Sequence, residues 1–242
     1  MNCRDTRRDA ALTPEARVLP LVFIVDDDVS VRESLEPLIR RAGWQSVALK
    51  SAQEYLNYPA VFAPSRCLIL DVDLPDVNGL DLQQQIADTR HPPIIFLTGY
   101  GDVRASVRAM KAGALDFLTK PFRTEDLLRL VRAALDLDFE RRGRQIALDD
   151  LQRRCELLTP REREVLPLVV SGLLNKQAAA HLGISEITFQ IHRTNVMRKM
   201  QAQSLAELVR MADRLEIPLP QLRRLPRPSM RFALTTAAAG LA

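Results

Sequence analysis

The sequence has 242 residues, which is enough for one large domain or two small ones that each bury a core. Its formal net charge of +4 conceals an asymmetry. Residues 20–130 carry 12 Lys and Arg against 15 Asp and Glu, a net charge of −3, whereas residues 153–242 carry 14 against 7, a net charge of +7. This contrast predicts metal or small-molecule chemistry in the first part and a polyanionic partner for the second.

The three cysteines are odd in number, widely spaced and outside any CxxC motif, which excludes a disulfide framework and indicates a reducing compartment. No run approaches the roughly 18 apolar residues that a membrane span needs. Residues 1–19 lack the apolar core of a signal peptide. We therefore expect a cytoplasmic protein with no membrane partner and with a disordered extension at residues 1–19.

Four short, mainly apolar runs predict buried strands, and each ends at a polar or charged side chain. These runs lie at residues 22–25, 68–70, 94–97 and 116–119. A weaker strand is predicted at residues 46–49. Because parallel strands end on the same edge of a sheet, the residues that follow these runs are expected to meet there.

Helical patterns separate the strands. Ser30 and Glu33 have capping-box spacing before a helix closed by Gly43, and Ser51 and Glu54 open a short helix in the same way. Further helices are predicted at about 80–88, 102–112 and 124–137, the last capped by Thr124. Strands and helices that alternate five times indicate right-handed crossovers and a doubly wound parallel sheet.

The acidic residues at the strand ends predict the chemistry. Asp26, Asp27 and Asp71 gathered at one edge would repel each other, and a hard divalent cation relieves that repulsion; Mg²⁺ suits a site made of oxygen ligands. With Lys120 across the pocket, Asp71 can attack phosphorus and form an aspartyl phosphate. The hydroxyl of Thr98 is expected to bond a phosphoryl oxygen.

Each of these residues also has a simpler interpretation. Asp28 is better explained as a solvated residue near a helix start than as a metal ligand, and Asp73 and Asp76 as turn carboxylates. Lys120 alone would be a surface lysine. The coincidence of four such residues at four strand ends favours the functional interpretation.

At these positions the sequence resembles the receiver domain of two-component response regulators, over residues 20–138. The resemblance implies a flavodoxin-like five-stranded sheet of order 2-1-3-4-5 and a sensor histidine kinase as phosphoryl donor. It implies Asp71 as phosphoacceptor and Mg²⁺ held by Asp26, Asp27, Asp71 and the backbone carbonyl of Asp73. It also implies that Thr98 is the switch hydroxyl, Lys120 the invariant-type lysine and Phe117 the switch aromatic.

A charged, weakly periodic stretch at residues 139–154 is predicted to be a linker, either as a loop or as a spacer that continues the preceding helix, with helix signals after it. Thr159, Pro160 and Glu162 form a capping box with proline at the first helical position. Helices at 175–182 and 186–200 flank a short turn that contains Gly183, which is a helix-turn-helix arrangement. A fourth helix, capped by Ser204, has apolar residues that could pair with a second copy: Leu205, Leu208, Val209 and Met211.

The helix at 186–200 carries amide, hydroxyl and basic side chains, which suit base edges and phosphates. Its packing face is predicted to consist of Ile187, Ile191, Val196 and Met200. A solvated basic face is the simpler alternative. Residues 158–213 closely resemble the LuxR-type DNA-binding domain, through Leu-Thr-Pro-Arg-Glu-Arg-Glu-Val-Leu at the start and His-Arg-Thr-Asn-Val-Met-Arg-Lys-Met on the reading helix.

This resemblance implies that bases are contacted by Gln190, Ile191 and Thr194, and phosphates by Ser185, Thr188, Arg193 and Lys199. It places the DNA-binding domain at 155–216, and we expect a disordered tail at 217–242. Receiver and helix-turn-helix together are similar to the FixJ/NarL-type regulators, closest to the FixJ branch. Double-stranded DNA, a kinase and a homodimer formed on activation are the implied partners.

The resulting prediction is a transcription factor activated by phosphorylation, and not an enzyme beyond its own phosphorylation and dephosphorylation. Two other functions stay open from the residues alone. Asp71-Val72-Asp73 superficially matches the Asp-x-Asp of haloacid-dehalogenase-like phosphatases, although that motif usually lies on the first strand. The basic second part could also serve protein interaction without touching DNA.

Overall fold

The computed structural model describes residues 18–60, 62–87, 91–99 and 103–220. The chain divides between Ile146 and Ala147 into two compact units. The predicted disordered segments lie almost wholly outside the described residues, which begin at Val18 and end at Pro220. None of the helices in the described part of the chain combines the length and hydropathy that a bilayer span requires.

The first unit contains a five-stranded, all-parallel sheet of order β2-β1-β3-β4-β5. The predicted fold class, a doubly wound sheet of order 2-1-3-4-5 followed by a helical domain, is therefore confirmed. The strands are β1 (Leu21–Val25), β2 (Gln45–Leu49), β3 (Arg66–Asp71), β4 (Ile94–Thr98) and β5 (Asp116–Thr119).

Helices cover both faces of the sheet, and the strands supply each face with alternate side chains. Phe23 and Val25 belong to one core cluster, whereas Val22 and Ile24 belong to the other. The helices of the first unit are α1 (Val29–Arg41), α2 (Ala52–Leu56), α3 (Gly79–Ile86), α4 (Val103–Lys111) and α5 (Thr124–Glu156), the last of which continues past Ile146.

The start of α1 differs from the prediction. Asp28, not Ser30, is the N-cap, because its side chain accepts a hydrogen bond from the backbone amide of Ser30. Asp and Ser are equally good caps, so composition alone did not separate them. Ser51 caps α2 as predicted, through the amide of Glu54, while Glu54 itself accepts from the amide of Lys50.

Helix α5 is 33 residues long and does not end at Leu137 as predicted. Its first turn includes Thr124, and the carbonyl of Arg123 accepts from the amide of Leu127, so Thr124 is inside the helix and not its cap. The residues predicted as a linker, 139–154, are all helical. Ion pairs four residues apart support this part: Glu140 with Arg144, and Asp150 with Arg154.

The second unit adds four helices after the end of α5. They are α6 (Pro160–Val170), α7 (Asn175–Leu182), α8 (Glu186–Met200) and α9 (Leu205–Arg214). The capping box of Thr159 and Glu162 is present, and Gly183 ends α7 with a positive φ of 63°. The predicted helix-turn-helix is confirmed, with Phe189, Val196 and Met200 of α8 in its core.

Candidate functional sites

Three carboxylates meet at the carboxyl edge of the sheet. Asp26 and Asp27 follow β1 directly, and Asp71 ends β3, its neighbour in the sheet. Each offers a carboxylate oxygen, and these oxygens all lie within 4.8 Å of one another. Asp26 and Asp71 are buried and Asp27 is exposed. An oxygen-only donor set of this kind can hold a hard divalent cation.

The Lys120 ammonium lies between two of these carboxylates. Its Nζ is 2.7 Å from Asp26 Oδ2 and 2.6 Å from Asp71 Oδ2. Burial raises the pKa of Asp26, the hydrogen bond from Lys120 lowers it, and the charge of Asp71 raises it again. Burial alone would lower the pKa of Lys120, but its hydrogen bonds to Asp26 and Asp71 outweigh this effect and raise it. The buried acids therefore share one cation.

Backbone contacts fix these carboxylates in place. Asp26 Oδ1 accepts from the amide of Asp28 at 3.0 Å, and Asp71 Oδ1 accepts from the amide of Asp73 at 3.1 Å. Arg32, in the first turns of α1, donates to the carbonyls of both Asp26 and Asp27. No sequence pattern singles out Arg32, because an arginine at this helix position usually faces solvent.

Gly79 has a role that sequence reasoning missed. A Cβ added at Gly79 would lie 2.3 Å from the carbonyl oxygen of Asp71 and 3.2 Å from the Phe96 ring. Its amide donates to the carbonyl of Val72 at 2.9 Å. The first residue of α3 therefore has to be glycine for the helix to approach the backbone of Asp71 this closely.

The other predicted receiver residues lie at or near the same edge. Thr98 is buried at the end of β4, and its carbonyl accepts from the amide of Lys120 at 2.7 Å. The Lys120-Pro121 peptide is cis. Phe117 is partly buried, with its ring centroid 6.3 Å from that of Phe96.

Asp76, interpreted from sequence as a turn carboxylate, makes contacts away from the acidic cluster. Its oxygens accept from the amides of Ala52 and Gln53, at the start of α2. Burial alone would raise the pKa of Asp76, but the amide hydrogen bonds, led by that of Gln53, together outweigh this effect and hold the pKa below its ordinary value. Asp76 therefore helps to cap a helix that is distant in sequence.

In the second unit, one face of α8 is open to solvent. Ile187, Gln190, Ile191, Thr194 and Asn195 line a shallow cavity of about 350 Å³. The prediction that Ile187 and Ile191 pack inward is wrong, since both are exposed. Phe189 is buried in their place, which shifts the packing face of the helix onto residues 189, 196 and 200.

Comparison with known proteins identifies both units. Residues 22–132 match the response regulator receiver domain, and residues 156–212 match the LuxR family of bacterial regulatory proteins. Nodulation protein W of Bradyrhizobium diazoefficiens is 50% identical over 204 residues, which is 84% of this chain and 89% of that protein. The chain belongs to the two-component response regulators of the FixJ/NarL family.

Other relatives of this response regulator agree. Transcriptional regulatory protein FixJ of Azorhizobium caulinodans is 42% identical over 192 residues, which is 79% of this chain and 90% of FixJ. The solved structure of the response regulator StyR has a TM-score of 0.72 at 42% identity, and the match covers 81% of this chain and 98% of StyR. The family implies a kinase and DNA as partners.

Several residues of the response regulator that were assigned to DNA phosphates have partners within the second unit. Lys199 Nζ lies 2.7 Å from Oε2 of the buried Glu162 and 3.1 Å from the carbonyl of Leu157. Arg193 donates to Asn175 Oδ1 at 2.7 Å. Ser185 caps α8 through the amide of Thr188.

The Glu162 ion pair is a structural feature of the second unit that the sequence did not reveal. Burial alone would raise the pKa of Glu162, but the hydrogen bond from Lys199 and that from the backbone amide of Thr159 outweigh it and lower the pKa. Glu162 thereby joins the start of α6 to the end of α8.

Gln190, Ile191 and Thr194, the three residues assigned to base contacts, share one exposed face of α8.

Proposed function

We propose that this response regulator accepts a phosphoryl group on Asp71 and that this modification changes its binding to double-stranded DNA. The observation that supports the proposal most directly is the arrangement of three carboxylates and one lysine at a single sheet edge. Acidic residues that serve only to solvate a surface do not cluster around a lysine in this way. Phosphoryl transfer, in contrast, requires a carboxylate nucleophile and compensating positive charge.

Mg²⁺ fits the donor set of this edge. The side chains of Asp26, Asp27 and Asp71 and the backbone carbonyl of Asp73 would hold it, because all of these ligands are oxygens. The bound ion supplies positive charge that offsets the charge of the phosphoryl oxygens. Asp27, which is exposed, leaves the cluster open to solvent on one side.

The chain's own residues carry out the remaining steps. A carboxylate oxygen of Asp71 forms a bond to phosphorus while the bond from phosphorus to the imidazole nitrogen of a kinase phosphohistidine breaks, and that nitrogen keeps the electron pair. Lys120, already 2.6 Å from Asp71, donates to a phosphoryl oxygen. The Thr98 hydroxyl donates to another, and the Phe117 ring, as the switch aromatic, changes its position in response.

The second unit then carries the output. The receiver at residues 20–138 and the DNA-binding domain at 155–216 are joined by a linker at 139–154. Phosphorylation favours a homodimer on a two-fold site, with half-sites about 10 base pairs apart. Leu205 and Val209 of α9 are exposed and available for pairing, whereas Leu208, predicted to join them, is buried in the core.

The contacts of the second unit support a division of roles on DNA. Gln190, Ile191 and Thr194 face bases, and Ser185, Thr188 and Arg193 lie near phosphates. Lys199 contributes its charge to the surface while it stays paired with Glu162. The protein receives its phosphoryl group from a sensor histidine kinase and regulates transcription, so it works in the cytoplasm.

The alternative to a regulatory function is an enzymatic one, namely phosphatase activity. We propose that the protein catalyses only its own phosphorylation and dephosphorylation. The Asp71-Val72-Asp73 sequence begins at the last residue of β3, the third strand and not the first, and an acidic pair already follows β1. Rapid multiple-turnover hydrolysis of a phosphomonoester would favour the phosphatase instead.

Acetyl phosphate provides the test of the acceptor. Incubation of the full chain with acetyl phosphate and Mg²⁺ is expected to add one phosphate, seen as a mass increase of the intact protein. Asp71→Asn should remove this increase completely. Asp28→Asn is the matched control, because asparagine caps α1 as well as aspartate does and the label should remain. A phosphate that persists on the Asp71→Asn protein refutes the assignment.

A further inference from the structure

The exposed face of α8 is apolar where a surface helix is normally polar. Ile187 is 74% exposed and Ile191 is 57% exposed, although both are large branched hydrophobic residues. They are four residues apart, so their side chains are neighbours on one face of the helix. This pair lines the cavity described above, and Phe189, Val196 and Met200 already supply the packing face.

Thr194 adds to the apolar character of the cavity. Its hydroxyl donates to the carbonyl of Gln190 at 2.9 Å, one turn earlier in the same helix. Because the hydroxyl proton is already used, the hydroxyl can only accept a further hydrogen bond, and the methyl group of Thr194 remains for an apolar contact. Residues 187, 191 and 194 therefore present three aliphatic groups around one depression.

Charge and the neighbouring amides indicate what covers this face. Residues 153–242 carry a net charge of +7, and Arg198 is exposed in the last turn of α8. A polyanion is therefore the partner with complementary charge. The exposed Gln190 lies between the two isoleucines in sequence, with an amide that can pair with a base edge.

We infer that Ile187, Ile191 and the methyl group of Thr194 recognise thymine methyl groups in the major groove. The 5-methyl group of thymine is the apolar group that the major groove presents to a reading helix. Gln190 suits the N6 and N7 atoms of adenine, so the half-site contains T·A pairs at the centre of the contact. The inference rests on the proposed function and goes beyond it by naming the base and assigning a role to Ile187.

Uracil in place of thymine tests this directly, because it removes only the methyl group. The probe is a duplex that the phosphorylated full-length protein enriches from a random pool, prepared once with thymine and once with uracil throughout. Each buried methyl group contributes a factor of about three to four, so two contacts predict that the uracil duplex binds at least about tenfold more weakly. Fluorescence anisotropy at fixed salt measures both affinities.

The double variant Ile187→Ala, Ile191→Ala keeps only the methyl group of Thr194, so the affinity ratio between its two duplexes should fall to about fourfold or less. Both side chains are exposed and alanine favours helix, so the variant is expected to fold. Leu174→Ala is the control: Leu174 is 69% exposed outside α8, and its variant should keep the tenfold ratio. A wild-type ratio within twofold, or a tenfold ratio that persists in the double variant, overturns the inference. Failure of the wild-type protein to bind any duplex contradicts the proposed function itself.

Discussion

Replacing Gly79 with alanine is expected to destabilise the first unit by about 1–3 kcal/mol and to impair phosphorylation of Asp71. The new Cβ would lie 2.3 Å from the Asp71 carbonyl oxygen, which is backbone and cannot rotate away. Either α3 or the end of β3 must shift, and a shift of β3 moves the acceptor carboxylate. Urea unfolding followed by the fluorescence of Trp44, the single tryptophan, reports on this unit.

The same substitution at Gly143 provides a matched control of opposite sign. Gly143 lies inside α5, and nothing lies within 4 Å of a Cβ built there. Gly143→Ala should therefore stabilise the helix by about 0.5–1 kcal/mol and leave phosphorylation unchanged. Equal stability of the Gly79→Ala protein and the wild type would contradict the close approach of α3 to Asp71.

Lys120→Met is expected to lower the unfolding free energy at pH 7 by about 3 kcal/mol. This value is at the lower end of the range for removing one partner of a buried ion pair, because the Lys120 side chain is 23% exposed and therefore partly solvated. Methionine keeps the length of the side chain but removes the charge shared by Asp26 and Asp71. Those two carboxylates would then face each other without a cation.

The pH dependence of this variant follows from Asp26. Burial already raises the pKa of Asp26, and loss of the Lys120 hydrogen bond raises it further. The folded variant then binds a proton more tightly than the unfolded chain does, so it loses stability as pH rises through the raised pKa. The deficit relative to wild type should be small near pH 4 and largest at neutral pH.

Magnesium should compensate for the missing ammonium. Since Mg²⁺ would then be the remaining cation for the cluster, it should raise the unfolding midpoint of the Lys120→Met protein more than that of the wild type. Lys111→Met, an exposed change at the end of α4, is the control and should alter neither stability nor its pH dependence. A deficit that does not vary with pH would contradict the shared-cation arrangement.

Local patterns in the sequence predicted most of the first unit because each signal had one structural solution. An apolar run that is too short for a helix and is followed by turn residues indicates a strand that ends at Asp71, and parallel strands then bring such ends together. The cap of α1 was missed because Asp28 and Ser30 both satisfy the chemistry. The end of α5 was placed too early because a glycine and a charged stretch are compatible with a loop or with a helical spacer unless the ion pairs four residues apart are counted.

Contacts between residues distant in sequence could not be predicted. Gly79 needs its lack of a side chain because of Asp71, and Gln83 donates to the carbonyl of Ala109 at 3.2 Å. The packing face of α8 was misjudged because Ile187 and Phe189 are both hydrophobic, and only the docked α6 and α7 decide which of them is buried. The ion pair between Lys199 and Glu162 joins residues of two helices that lie 37 positions apart in the sequence, so no local pattern indicates it.

The most direct test of the account compares DNA affinity before and after phosphorylation. The enriched duplex is titrated with the full-length protein at fixed salt, with and without acetyl phosphate and Mg²⁺, for the wild type and for Asp71→Asn. We expect phosphorylation to tighten binding by the wild type about tenfold or more, which is about 1.4 kcal/mol, and to leave the variant unchanged. Equal tightening in both proteins, or none in the wild type after confirmed phosphorylation, would contradict control of DNA binding through Asp71.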